Sequence, residues 1–209
     1  MKSTESKKPT AGVILAAGCS TRMGSTKPIL KFKGKYLIEK ILDAALESKL
    51  EVIFLVLGHE YQSIQKALGS KLENPRLKVP VNHQYRKGLS QSLRCGLERV
   101  KDIYPSVMFL LGDQPLIDYK TINELLEAFW LGDQEICVPI HQGRRGNPVI
   151  FSRNIYPDLE KLEGDKGARD LIRAQSEQVL FVEMKNPLLF FDIDTEEDLN
   201  KIKILASLD

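Results

Sequence analysis

Gly12-Val13-Ile14-Leu15-Ala16 runs directly into Ala17-Gly18-Cys19-Ser20-Thr21-Arg22-Met23-Gly24-Ser25-Thr26-Lys27. The first five residues are a short apolar run that reads as a buried strand. A loop of small side chains follows, carrying Arg22 and Lys27. Small residues let a ligand approach the main chain closely. Main-chain N–H groups of such a loop can cradle phosphate oxygens, and Arg22 and Lys27 can supply the countercharge. The loop is not a P-loop, because Ser25 rather than lysine follows Gly24. It is not G-x-G-x-x-G either, because no glycine lies between Gly18 and Gly24. P-loop ATPases and Rossmann dehydrogenases are therefore disfavoured. On composition alone, a plain surface loop with solvated Arg22 and Lys27 is an equal alternative.

Outward from this stretch, short apolar runs alternate with amphipathic segments. Leu37, Ile38, Ile41, Leu42 and Ala45 share a helical face, and 52–57 is a buried strand. Tyr61, Ile64 and Leu68 give a second helical stripe. A weaker strand at 77–81 contains Pro80. Helical spacing returns at Leu89, Leu93, Leu97 and Val100, then a strand at 107–111, then a helix from Asp118 to Trp130. After a strand at 135–140 the rhythm changes. A loop at 143–148 leads to a strand at 149–151, a helix carrying Ala168, Leu171 and Ile172, and late strands at 179–183 and Phe190-Phe191. Thr195 reads as the cap of a last helix with acidic residues in its first turn. The pattern predicts an α/β fold: one three-layer, Rossmann-like domain with a mostly parallel sheet flanked by helices.

The chain has 209 residues, 43% of them apolar and 28% charged, ordinary values for a folded globular protein. Its 30 basic and 28 acidic residues leave a net charge of +2, which argues against a nucleic-acid partner. Lys2, Lys7 and Lys8 against Glu5 place that excess in the polar segment 1–10, read as a flexible tail before a domain spanning 11–209. Cys19, Cys95 and Cys137 are far apart and form no C-x-x-C pair, so a disulfide framework or zinc site is not expected and a reducing cytoplasm fits. No apolar run reaches the length of a membrane span.

Asp113 follows a five-residue apolar strand and stands beside Gly112, where ligands of open α/β sheets bind. It can equally be a turn-forming residue that caps the helix from Asp118 to Trp130. Ser90 and Ser92 open an amphipathic helix, as nucleotide contacts or as simple N-caps. Arg144, Arg145 and Asn147 lie in the 143–148 loop, suited to an anion or to solvent. Lys166 and Arg169 sit in a later loop-to-helix stretch. His59, after Leu57-Gly58, starts a helix and reads as a capping or packing residue, and neither His83 nor His141 has a nucleophile partner. Cys19 reads as small filler.

The run Leu-Ala-Ala-Gly-x-Ser-x-Arg-Met-Gly-x-x-Lys (15–27) resembles the signature of MobA-like nucleotidyltransferases. The resemblance extends through Gly88-Leu89-Ser90-Gln91-Ser92-Leu93, Gly112-Asp113-Gln114-Pro115, the 143–148 loop, 164–169, and Asp192-Ile193-Asp194-Thr195. Within that group the chain is most similar to the molybdenum cofactor cytidylyltransferases, since Ala17 stands where the guanylyl branch more often has glycine and residues 143–148 and 192–195 look more like the cytidylyl branch. The resemblance implies a nucleotide-diphospho-sugar transferase type of fold. It implies transfer of CMP from CTP to the phosphate of molybdopterin or molybdenum cofactor, with pyrophosphate released. It implies catalysis by Arg22, Lys27 and Asp113. Nucleotide contacts would come from Leu15, Ala16, Ala17, Gly18, Arg22, Met23, Gly24, Lys27, Ser90, Ser92, Gly112 and Asp113, and acceptor contacts from Arg144, Arg145 and Asn147. Mg²⁺ would sit on Asp113 and Asp194, with Asp192 as the alternative second ligand. A molybdenum hydroxylase or its accessory chaperone would be the downstream partner. The other readings are a guanylyltransferase of the same cofactor, a sugar- or alditol-phosphate nucleotidyltransferase, and a non-catalytic delivery protein.

Overall fold

The computed structural model describes residues 8–18, 27–165 and 167–205. The chain runs β1 (Thr10–Ala16), β2 (Lys31–Phe32), β3 (Lys35–Tyr36), α1 (Leu37–Glu47), β4 (Val52–Leu57), α2 (Tyr61–Leu68), β5 (Leu77–Lys78), α3 (Leu89–Leu97) and β6 (Ser106–Leu111). It continues α4 (Tyr119–Leu131), β7 (Ile136–His141), β8 (Arg144–Arg145), β9 (Val149–Ser152), α5 (Tyr156–Glu160), α6 (Arg169–Ala174), β10 (Val179–Glu183) and α7 (Glu196–Leu205). The main sheet has the order β10-β7-β9-β6-β1-β4-β5, with β8 paired to β7. Pairing is parallel except where β9 runs against β6 and β7 and where β8 folds back on β7.

Period-two alternation sends each strand's side chains to both faces, and both faces are covered. Ile14 and Ala16 of β1 pack with α1, α2 and α4, while Val13 and Leu15 pack with α3, α5 and α6. Burial on both faces is why the central strands read as continuous apolar runs. Ile38, Ile41, Leu42 and Ala45 place one stripe of α1 on the first of these layers. A third, smaller cluster joins Phe32 and Leu37 to Ile193, Leu199 and Ile202. It fastens the C-terminal segment beside the β2–β3 hairpin. Among the described residues no helix is long and apolar enough to cross a membrane.

β4 and β5 extend the sheet to one side of β1, and β6 pairs on the other. The strand order therefore reverses at β1. In open α/β sheets that reversal opens a crevice outside the carboxyl ends of the strands. β1, β4 and β6 all deliver their C-termini to that edge, and so does β7, which runs parallel to β6 across the antiparallel β9.

Six details differ from the sequence reading. Thr10, assigned to the tail, is fully buried as the first residue of β1, where its hydroxyl is 2.7 Å from that of Ser106. The strand expected at 77–81 is cut to Leu77–Lys78; beyond Pro80, Val81 makes only an isolated bridge to Leu57. Phe190-Phe191 is not a strand. Pro187–Phe190 forms a 3₁₀ turn, started by the Asn186 side chain accepting from the Leu188 N–H, and it buries the adjacent Leu189 and Phe190 together. The 143–148 loop contains β8, reached through Gln142 (φ 49°) and Gly143 (φ 80°). Two consecutive positive φ values are what a tight two-residue hairpin turn requires. The helix after His59 begins only at Tyr61, and the His59 N–H donates to the Ala17 carbonyl at 3.2 Å. Asp118, not Asp113, caps α4, accepting from the Thr121 N–H at 2.8 Å.

Gly96 of α3 faces β1, and a Cβ there would lie 2.4 Å from Cγ1 of Val13. Gly96→Val is expected to cost about 1–3 kcal/mol by overpacking, read as a lower urea midpoint at unchanged m-value.

Candidate active site

The site is built where β6 ends. Gly112 leaves the strand with its N–H donating to the Leu15 carbonyl at 3.0 Å. A Cβ at Gly112 would come within 2.9 Å of the Ala16 Cβ, so only glycine lets the two strand ends run this close. Asp113 is thereby set beside Ala16-Ala17-Gly18, the described part of the glycine loop. Asp113 also reaches across the chain through its main chain: its carbonyl accepts from the Ile193 N–H at 3.1 Å. Ile193 is fully buried in the third apolar cluster. Its two neighbours, Asp192 and Asp194, are thereby brought to the carboxyl edge of β6.

Lys27 joins these parts. Its Nζ donates to Asp113 Oδ2 at 2.8 Å and to Asp194 Oδ1 at 2.9 Å. The lysine side chain is 12% exposed, against 31% for Asp113 and 51% for Asp194. Burial alone would lower the Lys27 pKa, but the charge of Asp113 and the hydrogen bonds to Asp113 and Asp194 outweigh it and hold the value above normal. Lys27 is thus a fixed cation. Asp192 accepts from Gln114 Nε2 at 2.7 Å. Its pKa is raised, first by burial and then by the neighbouring charge of Asp113.

Asp113 Oδ1 is buried and has no hydrogen-bond partner among the described residues. A carboxylate oxygen left without a donor can take part in binding a hard divalent cation, with substrate oxygens and water completing its shell; no three His, Cys, Asp or Glu side chains among the described residues come together to hold one by themselves. Asp113 and Asp194 can hold such an ion, and Asp192 stands next to both.

The remaining expected residues fall into four groups. Leu15, Ala16, Ala17, Gly18 and Gly112 lie at the carboxyl edge with Asp113, whereas Arg22, Met23, Gly24, Cys19 and Lys166 lie outside the described residues. Ser90 and Ser92 sit below the surface of the cleft. The Ser92 Oγ accepts from Asn82 Nδ2 at 3.1 Å, and the Ser90 Oγ is buried without a partner among the described residues. The start of α3 is covered by the later loop: the Leu89 N–H donates to Asp165 Oδ1 at 2.9 Å and the Ser90 N–H to the Gly164 carbonyl at 3.0 Å. Arg144 and Arg145 are exposed on β8, with the Arg145 guanidinium 5.3 Å from the Phe181 ring centroid, and Asn147 is half-buried. Arg169 is exposed at the start of α6.

Three contributors carried no assigned role in the sequence reading: Gln114, Asn82 and Asp165. Gln114 stands directly after Asp113, and its near-complete burial is what marks it as a partner for a carboxylate. Asn82 and Asp165 act on α3 from elsewhere in the chain, and no local pattern announces either. The histidines are engaged in packing: His59 meets Tyr85 edge-on, His83 meets Tyr61, and His141 Nδ1 lies 2.7 Å from the Met184 carbonyl. Burial pushes the Cys137 thiol up to about 12, so it is inert.

This edge, with a phosphate-suited loop, a fixed ammonium and clustered carboxylates, defines a nucleotide-handling α/β protein. Residues 12–179 match the MobA-like NTP transferase domain, and the chain belongs to that family of nucleotidyltransferases. It is 30% identical over 198 residues to the purine catabolism protein PucB of Bacillus subtilis, covering 92% of this chain and 95% of that one. It is 29% identical to a probable molybdenum cofactor guanylyltransferase of Thermococcus sibiricus (92% and 96% covered). It is 26% identical to the nicotine blue oxidoreductase of Paenarthrobacter nicotinovorans (91% and 95%). Among solved structures, Rv0371c of Mycobacterium tuberculosis superposes with a TM-score of 0.81 at 27% identity, covering 95% of this chain and all of that one. The manganese complex of the same protein superposes at 0.76, with 27% identity and 94% and 98% covered.

Lys27→Met would leave the Asp113, Asp192 and Asp194 carboxylates facing one another. Removing one partner of a fully buried ion pair costs about 3–5 kcal/mol. With Asp113 and Asp194 partly solvated, a loss of about 1–3 kcal/mol is expected at pH 7.5. Urea denaturation measures it, and wild-type stability would show that the ammonium does not hold the carboxylates together.

Proposed function

We propose that the protein transfers a cytidylyl group from CTP to the terminal phosphate of molybdopterin or molybdenum cofactor. The observation that carries this reading is the Lys27 ammonium held between Asp113 and Asp194 at the edge where the strand order reverses. An acceptor phosphate oxygen attacks the α-phosphorus of the triphosphate. The bond between the α-phosphorus and its bridging oxygen to the β-phosphorus breaks, and pyrophosphate leaves. A phosphate monoester has its second pKa near ~6, so the nucleophile is already ionised at neutral pH. No side-chain base is needed, which agrees with histidines committed to packing and main-chain contacts.

In this reading catalysis is positioning and charge stabilisation. The main chain of Ala16-Ala17-Gly18 lines the triphosphate. Lys27, with Arg22 by family resemblance, offsets charge growing on the leaving pyrophosphate. Ser90 and Ser92 support the base-reading segment at the start of α3 from beneath, with Asn82 fixing the Ser92 hydroxyl. Arg144, Arg145 and Asn147 receive the acceptor. Asp113 and Asp194, with Asp192 as the alternative to Asp194, hold a divalent ion, Mg²⁺ in this reading. Its chemistry is to neutralise triphosphate oxygens. A molybdenum hydroxylase or its chaperone is the recipient of the product.

A second reading, GTP as donor, is favoured by the name of the Thermococcus relative. Base choice therefore rests on Ala17 and the motifs of the second half. Pyrophosphate release with CTP, GTP, ATP and UTP, each with and without molybdopterin or its molybdenum form and with Mg²⁺, decides among the readings. The expected result is release that needs CTP and a pterin acceptor together. Release with GTP alone among the nucleotides moves the assignment to the guanylyl branch. Release only with a sugar or alditol phosphate moves it to that class, and no release with any acceptor supports a binding or delivery protein.

Asp113→Ala is expected to fold and to lose roughly a hundredfold or more in turnover, the scale of losing one preorganised electrostatic partner. Near-native turnover by the purified variant would remove Asp113 from the mechanism.

A further inference from the structure

We propose that the Phe190 ring, seated on Gly146, is the positioning contact that couples the acceptor loop to the Asp192–Asp194 carboxylates. The observations are steric. A Cβ on Gly146 would lie 1.8 Å from Cδ1 and 2.0 Å from Cε1 of Phe190, so the ring occupies the space a side chain would need. No small adjustment relieves an overlap of that size. The His141 ring also stacks on Phe190, with centroids 6.3 Å apart and planes 30° from parallel. His141 is itself fixed by the Met184 carbonyl, 2.7 Å from its Nδ1. Both contacts come from the β7–β8 hairpin and its exit, which carries Arg144, Arg145 and Asn147.

On its other side Phe190 leads directly into the site. It ends the 3₁₀ turn at Pro187–Phe190, and Asp192 follows two residues later. The segment is then fastened by the Ile193 N–H on the Asp113 carbonyl. The only free length between the seated ring and the carboxylates is Phe191, whose N–H is itself bonded to the Leu188 carbonyl at 3.2 Å. A shift of the ring is therefore transmitted to Asp192 and Asp194, because too few residues intervene to absorb it. Neither Phe190 nor Gly146 touches the reacting groups; they act through the carboxylates.

The inference rests on the nucleotidyl-transfer reading for its kinetic arm, and on Mn²⁺ binding for an arm that does not need turnover. Gly146→Ala, Phe190→Leu and the double variant are compared. Mn²⁺ affinity in the presence of CTP is measured by electron paramagnetic resonance, and kcat and KM by pyrophosphate release. Misplacing catalytic groups by about an ångström can cost up to ~100-fold. Gly146→Ala is expected to weaken Mn²⁺ binding and lower kcat by roughly tenfold or more, with KM for CTP within about twofold of wild type. The double variant is expected to recover most of both losses, because leucine vacates room for the added methyl. A structural role alone would lower stability, which the double variant would also recover, without the split of kcat and Mn²⁺ affinity from KM.

Wild-type Mn²⁺ affinity and kcat in Gly146→Ala, or losses that the double variant fails to recover, overturn the proposal. Should Gly146→Ala not fold, Phe190→Leu decides by the same readouts: reduced Mn²⁺ affinity at unchanged KM supports the coupling, and wild-type values overturn it. A wild-type protein that binds Mn²⁺ yet releases no pyrophosphate defeats the functional reading alone. One that does neither defeats both.

Discussion

The site depends on one ammonium. Lys27 lies between carboxylates from two other parts of the chain, Asp113 at the end of β6 and Asp194 before α7. An ammonium this buried is stable only if charge-assisted hydrogen bonds replace its lost hydration. Both carboxylates supply them, and the net effect is a lysine that stays charged. Conversely, Asp113 and Asp194 come together around a shared cation. Among the described residues, Lys27 is that cation. The glycine loop, the β6 edge and the C-terminal segment are therefore mutually conditional.

What lets these parts meet is backbone geometry. β1 and β6 run in register to Leu15 and Leu111, and the absence of a side chain at Gly112 carries their approach past the end of the ladder. The C-terminal segment then docks through the Ile193 main-chain hydrogen bond to Asp113, with Ile193, Leu199 and Ile202 buried in the third apolar cluster. Much of the second half of the fold serves that return. β9 enters the sheet antiparallel between β6 and β7, β8 turns back on β7, and the 3₁₀ turn at Pro187–Phe190 redirects the chain toward Asp113.

Most of the sheet was legible in the sequence, because a strand buried on both faces writes itself as an unbroken apolar run. The 52–57 strand and the Ile38–Ile41–Leu42–Ala45 face of α1 are of this kind. Phe190-Phe191 shows where the signal stops. Two adjacent apolar residues are compatible with strand or helical turn, and the deciding feature is a ring seated on a glycine far away in the chain. The same limit applies to the site. Asp113 was legible from its position after an apolar strand. That Asp118, rather than Asp113, caps the following helix was not, because both precede it. The burial of Ser90 and Ser92 was equally hidden, since the Gly164–Asp165 turn that covers the start of α3 is distant in sequence. Gln114 was visible as part of a motif, but its bond to Asp192 was not.

The charge balance of the chain takes its meaning from this arrangement. A net charge of +2 says little about function, because the charges that matter oppose one another within a single site. Within the described part of the site Asp113, Asp192 and Asp194 lie around the ammonium of Lys27, and the raised pKa of Asp192 registers burial together with the charge of Asp113. A buried carboxylate oxygen with no donor among the described residues suits a cation better than a bare anion. A nucleoside triphosphate brings negative charge of its own, so it meets such a site most favourably together with a divalent ion. In the proposed chemistry Lys27, positioned at 2.8 and 2.9 Å from its two carboxylates, would share its countercharge with phosphate. The contacts that stabilise the fold without substrate are thus the same ones that the proposed chemistry redistributes.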